Sequence, residues 1–185
     1  DFGVPQKRKR VFFIASKKGI TGNPIKTHGE EIEIMMNSNL LPYENVIDWI
    51  GKFDNDKYFE PEELTTGKTY DEELKQIPPG QNYFALSERS GHPNPKFLAN
   101  KRFWNFLLKL HPNKPSWTIA AQPGPWVGPF HWNNRRLRVP ESAAIQTFPE
   151  DYHFVGTRRS VQKQIGNAVP ALLGKAMVNH LISNI

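Results

Sequence analysis

The sequence predicts an α/β chain with a strand-bearing start, a long irregular middle and a helical end. Three observations carry this reading. A β-rich apolar run, Val11-Phe12-Phe13-Ile14-Ala15, stands near the beginning. An apolar stripe at helical spacing (Val169, Leu172, Leu173, Ala176, Met177, Leu181) lies near the end. Between them, polar stretches and Pro/Gly punctuation cut the pattern into short elements.

Val11 to Ala15 predicts a buried strand, ended by Lys17-Lys18-Gly19. Val46, Ile47, Trp49 and Ile50 predict a short helix closed by Gly51. Residues 53–82 are polar, carry Pro61, Gly67 and Pro78-Pro79-Gly80, and read as loop with short elements. Phe97 to Leu110 predicts an aromatic amphipathic helix stopped by His111-Pro112. A loop-rich stretch follows, from Ala121 to near Asn134. Pro140 suits the first turn of a helix running toward Gln146, with Glu141 favourable at its N-terminus. Phe148-Pro149 ends it. Gly166, Asn167 and Pro170 mark a tight turn feeding the last helix, Val169 to Ile182, with His180 packed beside its apolar face.

The chain has 185 residues and no cysteine, so it supplies no disulfide, Cys-ligated metal or cysteine nucleophile. Mean hydropathy is −0.59, and no apolar run approaches the ~18 residues of a spanning helix. The opening Asp1-Phe2-Gly3-Val4-Pro5 lacks the basic-then-apolar pattern of a secretory leader, which with the missing cysteines predicts a cytoplasmic setting. Asp1 in place of Met predicts a fragment or one half of something larger. Aromatics at 12% argue against disorder. The net charge is +6 but uneven: +6 over residues 1–29, −9 over 30–75 and +9 over 76–185. A polyanion would meet the two basic ends, and the acidic segment reads as a solvated face.

In an extended chain Gln6, Arg8 and Arg10 share one face, an amide and two guanidinium forks suited to phosphate oxygens and base edges. On composition alone the run is a solvated or localisation-type basic tract; its place before an apolar strand points to DNA. A second cluster, Asn133-Asn134-Arg135-Arg136-Leu137-Arg138, leads into the Pro140 helix, where a surface helix with a basic lead-in is the plain alternative. A third, Gln164-Ile165-Gly166-Asn167-Ala168-Val169-Pro170, exposes backbone groups and an amide beside a helix start, and is by itself an ordinary turn. The six His show no metal-ligand spacing, so no metal site is expected. The five Trp read as core or loop anchors; Trp117 and Trp126, in the basic half, are also candidates to touch nucleic acid.

Taken in order, the three clusters resemble the C-terminal part of a DNA (cytosine-5) methyltransferase. Gln6-x-Arg8-x-Arg10 with Val11 to Ala15 resembles motif VIII and the strand after it. Arg136-Leu137 to Glu141, with Ile145-Gln146-Thr147-Phe148-Pro149-Glu150-Asp151-Tyr152, resembles motif IX, and Gln164 to Pro170 resembles motif X. The resemblance implies the terminal piece of a Rossmann-like methyltransferase domain plus a small irregular α+β target-recognition domain. It divides the chain into 1–18 (end of the catalytic domain), 19–134 (recognition domain) and 135–185 (motifs IX and X with the returning helix). Arg138 stands where Thr or Ser is common, and Ala144 where an Arg is usual. The glycine-rich cofactor motif, the Pro-Cys nucleophile motif and the Glu-Asn-Val motif belong upstream of motif VIII in the family, and all three are expected to be missing from this chain.

The implied reaction is methyl transfer from S-adenosylmethionine to cytosine C5, within a restriction–modification system of bacterial type. A thiolate adds to C6 of a base taken out of the stack. By resemblance Gln6, Arg8 and Arg10 support the target cytosine, and Asn167 and Ala168 line the cofactor's amino-acid end. Arg89, Asn94, Gln122, Arg135 and Arg136 contact DNA, the first three proposed on residue type. The implied partners are double-stranded DNA and the N-terminal half of the enzyme, as the same chain or a separate subunit, and without that half the chain is expected to be inactive. A competing reading is a non-catalytic, sequence-specific DNA-binding module derived from such an enzyme.

Overall fold

Apolar side chains from the middle and the end of the chain bury one another in a shared core. The computed structural model describes residues 1–15, 17, 19, 22–99 and 102–183. Val46 and Ile50 of helix α2 (Val46–Ile50) pack with Phe53, Leu110 and Ile119. Leu137, Ala143 and Ile145 close over them from in and around α4 (Val139–Ile145), and Val161 and Ile165 from α5 (Arg158–Asn167). This core crosses the expected boundary at 134/135. Each fully buried aliphatic contributes about 1.5–3 kcal/mol, so the recognition region and the final helices are held as one body.

A second core lies wholly within the middle. Leu74 of α3 (Asp71–Gln76), Ile77, Tyr83, Leu86, Phe106, Leu107, Trp126 and Phe130 form it. Tyr70 meets Phe106 and Trp126 edge-on at 5.2 and 5.5 Å. Trp126 is therefore an anchor in this core rather than a surface group.

The helix expected over Phe97–Leu110 does not form. Phe97 bridges Ser87, Phe106 bridges Val127 and Lys109 bridges Phe130. Leu107 has a positive φ of 51°, which no helix accommodates. The amides of Leu107, Lys109 and Leu110 donate to Trp126 O, Gln81 O and Phe130 O. Two of the aromatics, Phe97 and Phe106, join one cluster from an irregular path, while Phe103 and Trp104 stay exposed.

The strand expected over Val11–Ala15 is also absent: none of these residues belongs to a strand, and Val11 and Phe13 are 80% and 96% exposed. A strand needs a neighbour for its backbone groups. Among the described residues the one sheet is a parallel pair elsewhere, β1 (His28–Gly29) with β2 (Leu41–Pro42), flanking α1 (Glu31–Met36). Lys18, one of the residues expected to end the strand, lies outside the described residues.

Helix α6 (Ala171–Ser183) forms close to where it is expected. Its first free amides are received by the end of α4: Ala171 N–H donates to Gln146 O, and Leu172 N–H to Thr147 Oγ1 at 3.1 Å. None of its side chains is fully buried, and Val169, Val178 and Ile182 are exposed. The stripe that predicts this helix is thus only partly covered by the described residues. Helix α5 is not foreseen by the pattern, because Val161 and Ile165 are its only strongly apolar side chains among charged and amide neighbours. Gly166-Asn167, expected as a tight turn, forms the last turn of α5.

Candidate functional site

Residues 5–8 run beside residues 116–119. Gln6 bridges Ser116, Lys7 N–H donates to Ser116 O at 2.8 Å, and Ser116 N–H donates to Pro5 O at 2.8 Å. The alternation of an extended chain sends Gln6 and Arg8 inward and Lys7 and Lys9 to water. The buried Gln6 amide oxygen accepts from Ile119 N–H at 3.1 Å. Its NH₂ donates to Gln146 Oε1 at 3.1 Å, and Gln146 NH₂ donates to Ile165 O at 2.7 Å.

Arg8 extends the same joint. It donates to Ile119 O at 3.0 Å, Gly166 O at 2.6 Å and Ala168 O at 3.4 Å. Its Nε is buried with no hydrogen-bond partner among the described residues. Gly166 makes this approach possible, since a Cβ there would lie 2.3 Å from Ala121 Cα. Arg10 departs from the shared face: it is exposed, and among the described residues its guanidinium donates to Lys9 O at 2.8 Å. Asn167 is exposed at the end of α5, and Ala168 is half-buried.

An open cavity of about 1510 Å³ lies beside this joint, with Gln6, Arg8 and Arg10 on one side and Pro170, Leu173 and Met177 on the other. Val11, Phe12 and Ile14 add apolar lining.

The basic lead-in to α4 does not lie on the surface as expected. Arg135 is buried and forks onto Glu141 at 2.6 and 2.9 Å, with a further contact to Asp54 at 2.8 Å. Buried Arg138 grips Glu63 with Nε and Nη2, and its Nη1 reaches Phe53 O and Asn55 O. Arg158 pairs with Glu60 at 2.8 Å. The acidic segment is therefore not merely a solvated face, because Asp54, Glu60 and Glu63 are counter-ions for arginines of the C-terminal third. Burial would raise the Asp54 and Glu63 carboxyls, but the hydrogen bonds from Arg135 and Arg138 hold both below the usual carboxylate range. Burial pushes the Glu141 carboxyl up, opposed by Arg135. Beside them His131 is lowered to about 3, by burial first and by the charge of Arg135 second.

Arg136 is half-buried, donates to Pro125 O and lies 6.0 Å from the Phe130 ring centre. Arg89, Asn94 and Gln122 are all exposed, Arg89 in a 3-10 turn (Glu88–Ser90), Asn94 in the segment just after it and Gln122 in a separate loop. Buried Lys109 was not singled out by sequence. Its ammonium bridges Ile77 O and Asn134 Oδ1, and burial lowers it to about 8. The string Glu44-Asn45-Val46 does occur, but after motif VIII, where it opens α2: Glu44 accepts from Trp49 Nε1 at 3.0 Å and Val46 is buried.

The three marker stretches thus meet at one joint, where Gln6 holds Gln146 and Gln146 holds Ile165. A family model of C-5 cytosine-specific DNA methylases matches residues 1–183. The chain belongs to this family. It is 40% identical to the Type II methyltransferase M.SacI of Streptomyces achromogenes, over all of this chain and 50% of that protein. It is 33% identical to M.BsuRI of Bacillus subtilis, over 97% of this chain and 39% of that protein. With M.BbvI of Brevibacillus brevis the figures are 31%, 92% and 43%. The chain spans about half or less of the length of these relatives. No helix of this methylase chain, among the described residues, is long and apolar enough to cross a membrane.

Proposed function

We propose that this chain is the C-terminal portion of an S-adenosylmethionine-dependent DNA (cytosine-5) methyltransferase. It supplies target recognition and one wall of the base and cofactor pocket, within a restriction–modification system. The observation that carries the reading is the Gln6–Gln146–Ile165 joint, which gathers the motif VIII, IX and X stretches around Arg8 beside an open cavity.

In this reading Gln6 is a positioning residue, since its amide is fully engaged inside the protein. Arg8 lines the cavity but donates through both Nη groups to Ile119 O, Gly166 O and Ala168 O, so it holds the wall in place, and the exposed Arg10 faces the target nucleotide and its phosphates. Arg89, Asn94 and Gln122 are exposed, as base or phosphate contacts must be, and Arg136 borders the 122–125 loop. Arg135 is left out of the DNA surface, because both arms of its guanidinium serve Glu141 and Asp54. The exposed Asn167 amide and the Ala168 backbone fit the polar end of an amino-acid-bearing cofactor. S-adenosylmethionine, when bound, supplies the methyl group.

The cysteine-free chain needs a thiolate from elsewhere. The exposed Val11-Phe12-Phe13-Ile14 run and the half-covered α6 stripe border the cavity and suit a catalytic half packed against them. Mixing this chain with the half of M.SacI that it does not match tests this by gel filtration. A single co-eluting complex is expected, and Phe13→Asp should weaken it. Two independent peaks would contradict the reading.

A further inference from the structure

We infer that Phe103 and Trp104 form an aromatic wedge that stacks on bases at an opened step of duplex DNA. The inference rests on the DNA reading above and names a contact that reading does not assign.

Phe103 is 82% exposed and Trp104 62% exposed, two large rings side by side in water. Their backbone is braced from within. Buried Tyr83 donates its hydroxyl to Arg102 O at 3.1 Å, and buried Asn82 donates its amide to Trp104 O at 2.7 Å. Phe103 O accepts from Phe106 N–H at 2.9 Å. Three consecutive carbonyls are thus anchored while the two side chains point outward. Floppy loops that expose a ring by accident have no such buried fixings.

The surroundings say what covers the rings. From Ser90 to Pro140 the sequence has no Asp or Glu; Lys109, Arg135 and Arg138 of that span are spent inside the protein, while Lys96, Arg102 and Lys114 are exposed. A polyanion is complementary to such a stretch. Trp104 leans edge-on against Trp117 at 5.9 Å, and Trp117 follows Ser116, the residue bridged to Gln6. The rings therefore stand next to the strand-like segment that carries Arg8 and exposed Lys7. An aromatic face beside cations is the combination that holds unstacked bases, and apolar side chains inserted at a step keep it open.

The test uses the full chain and a duplex selected by it from a randomised pool, with 2-aminopurine beside a cytosine. Phe103→Ala should weaken binding about 5- to 100-fold, the range expected for one lost stacking contact. The slope of affinity against salt should stay unchanged, because no phosphate contact is removed. The rise in 2-aminopurine fluorescence on binding should be lost in Phe103→Ala and kept in Phe103→Trp. Thermal melting of both variants should match the parent, as the ring is exposed. Unchanged affinity and fluorescence in Phe103→Ala would overturn the wedge and leave the methyltransferase reading standing. Failure of the parent chain to select any duplex would overturn both.

Discussion

The side-chain amide of Gln6 donates to the side-chain oxygen of Gln146, 3.1 Å away and 140 positions further along the chain. Both residues are buried, and each also binds a third stretch: Gln6 accepts from Ile119 N–H and Gln146 donates to Ile165 O. Removing either amide strands buried polar groups, which costs about 1–3 kcal/mol. Gln6→Ala and Gln146→Ala should each lower the melting temperature. The double variant should lose less than the sum, with a coupling of about 0.5–3 kcal/mol in a double-mutant cycle. Strict additivity would mean that the two do not act as a unit.

Gly166 is fixed by packing rather than by a turn. A Cβ there would meet the backbone of Ala120 and Ala121, which cannot move aside as a flexible side chain can. Gly166→Ala should destabilise by about 1–3 kcal/mol even though alanine favours helices. Chemical denaturation reads this directly, and a neutral or stabilising effect would deny the close approach of α5 to residues 120–121.

The Arg138–Glu63 pair is almost fully buried. Glu63→Gln should cost several kcal/mol, roughly 3–5, by leaving a buried guanidinium uncompensated. Arg138→Met combined with Glu63→Leu should recover most of the loss. Urea titration of the three variants checks the order.

His131 has a ring lowered from 6.5 to about 3. Between those values the unfolded chain binds a proton that the folded chain refuses. The contribution is complete above pH 6.5 and fades as pH falls toward 3. The lowered Asp54 and Glu63 carboxyls act in the same direction at the acid end of this window. Melting temperature should therefore drop from pH 7 to pH 4, and drop less in His131→Asn. An identical acid limb in that variant would show that the imidazole is not the titrating group.

Arg10 is exposed, and among the described residues its guanidinium donates to its neighbour's carbonyl, Lys9 O. Arg10→Ala should leave the melting temperature unchanged while sharply lowering methylation by the reconstituted enzyme. Equal loss of activity and stability would count against its place at the target nucleotide.

Much of the C-terminal third was legible because its signals are local. Pro140 and Glu141 mark the start of α4, where Glu141 accepts from Arg138 N–H at 2.8 Å, and Pro170 precedes α6. The Val46–Ile50 helix was equally readable from its spacing and Gly51. The Phe97–Leu110 helix was misread because Phe97 and Phe106 answer to rings at positions 70 and 83, which spacing cannot reveal. The Val11–Ala15 run has strand chemistry but no neighbouring strand among the described residues. At the site, the residue types around Gln6 and Gly166 were visible in advance. The internal use of Arg135 and Arg138 was not, because their carboxylate partners Asp54 and Glu63 lie some 80 positions away.

The most direct measurement is transfer of labelled methyl from S-adenosylmethionine to duplex DNA by this chain alone, by the unmatched half of M.SacI alone, and by the two together. Methylated cytosine should form only in the mixture, and should vanish when the thiol supplied by the partner half is replaced. Methylation by the lone chain, or a stable complex that binds DNA yet never methylates it, would contradict the account.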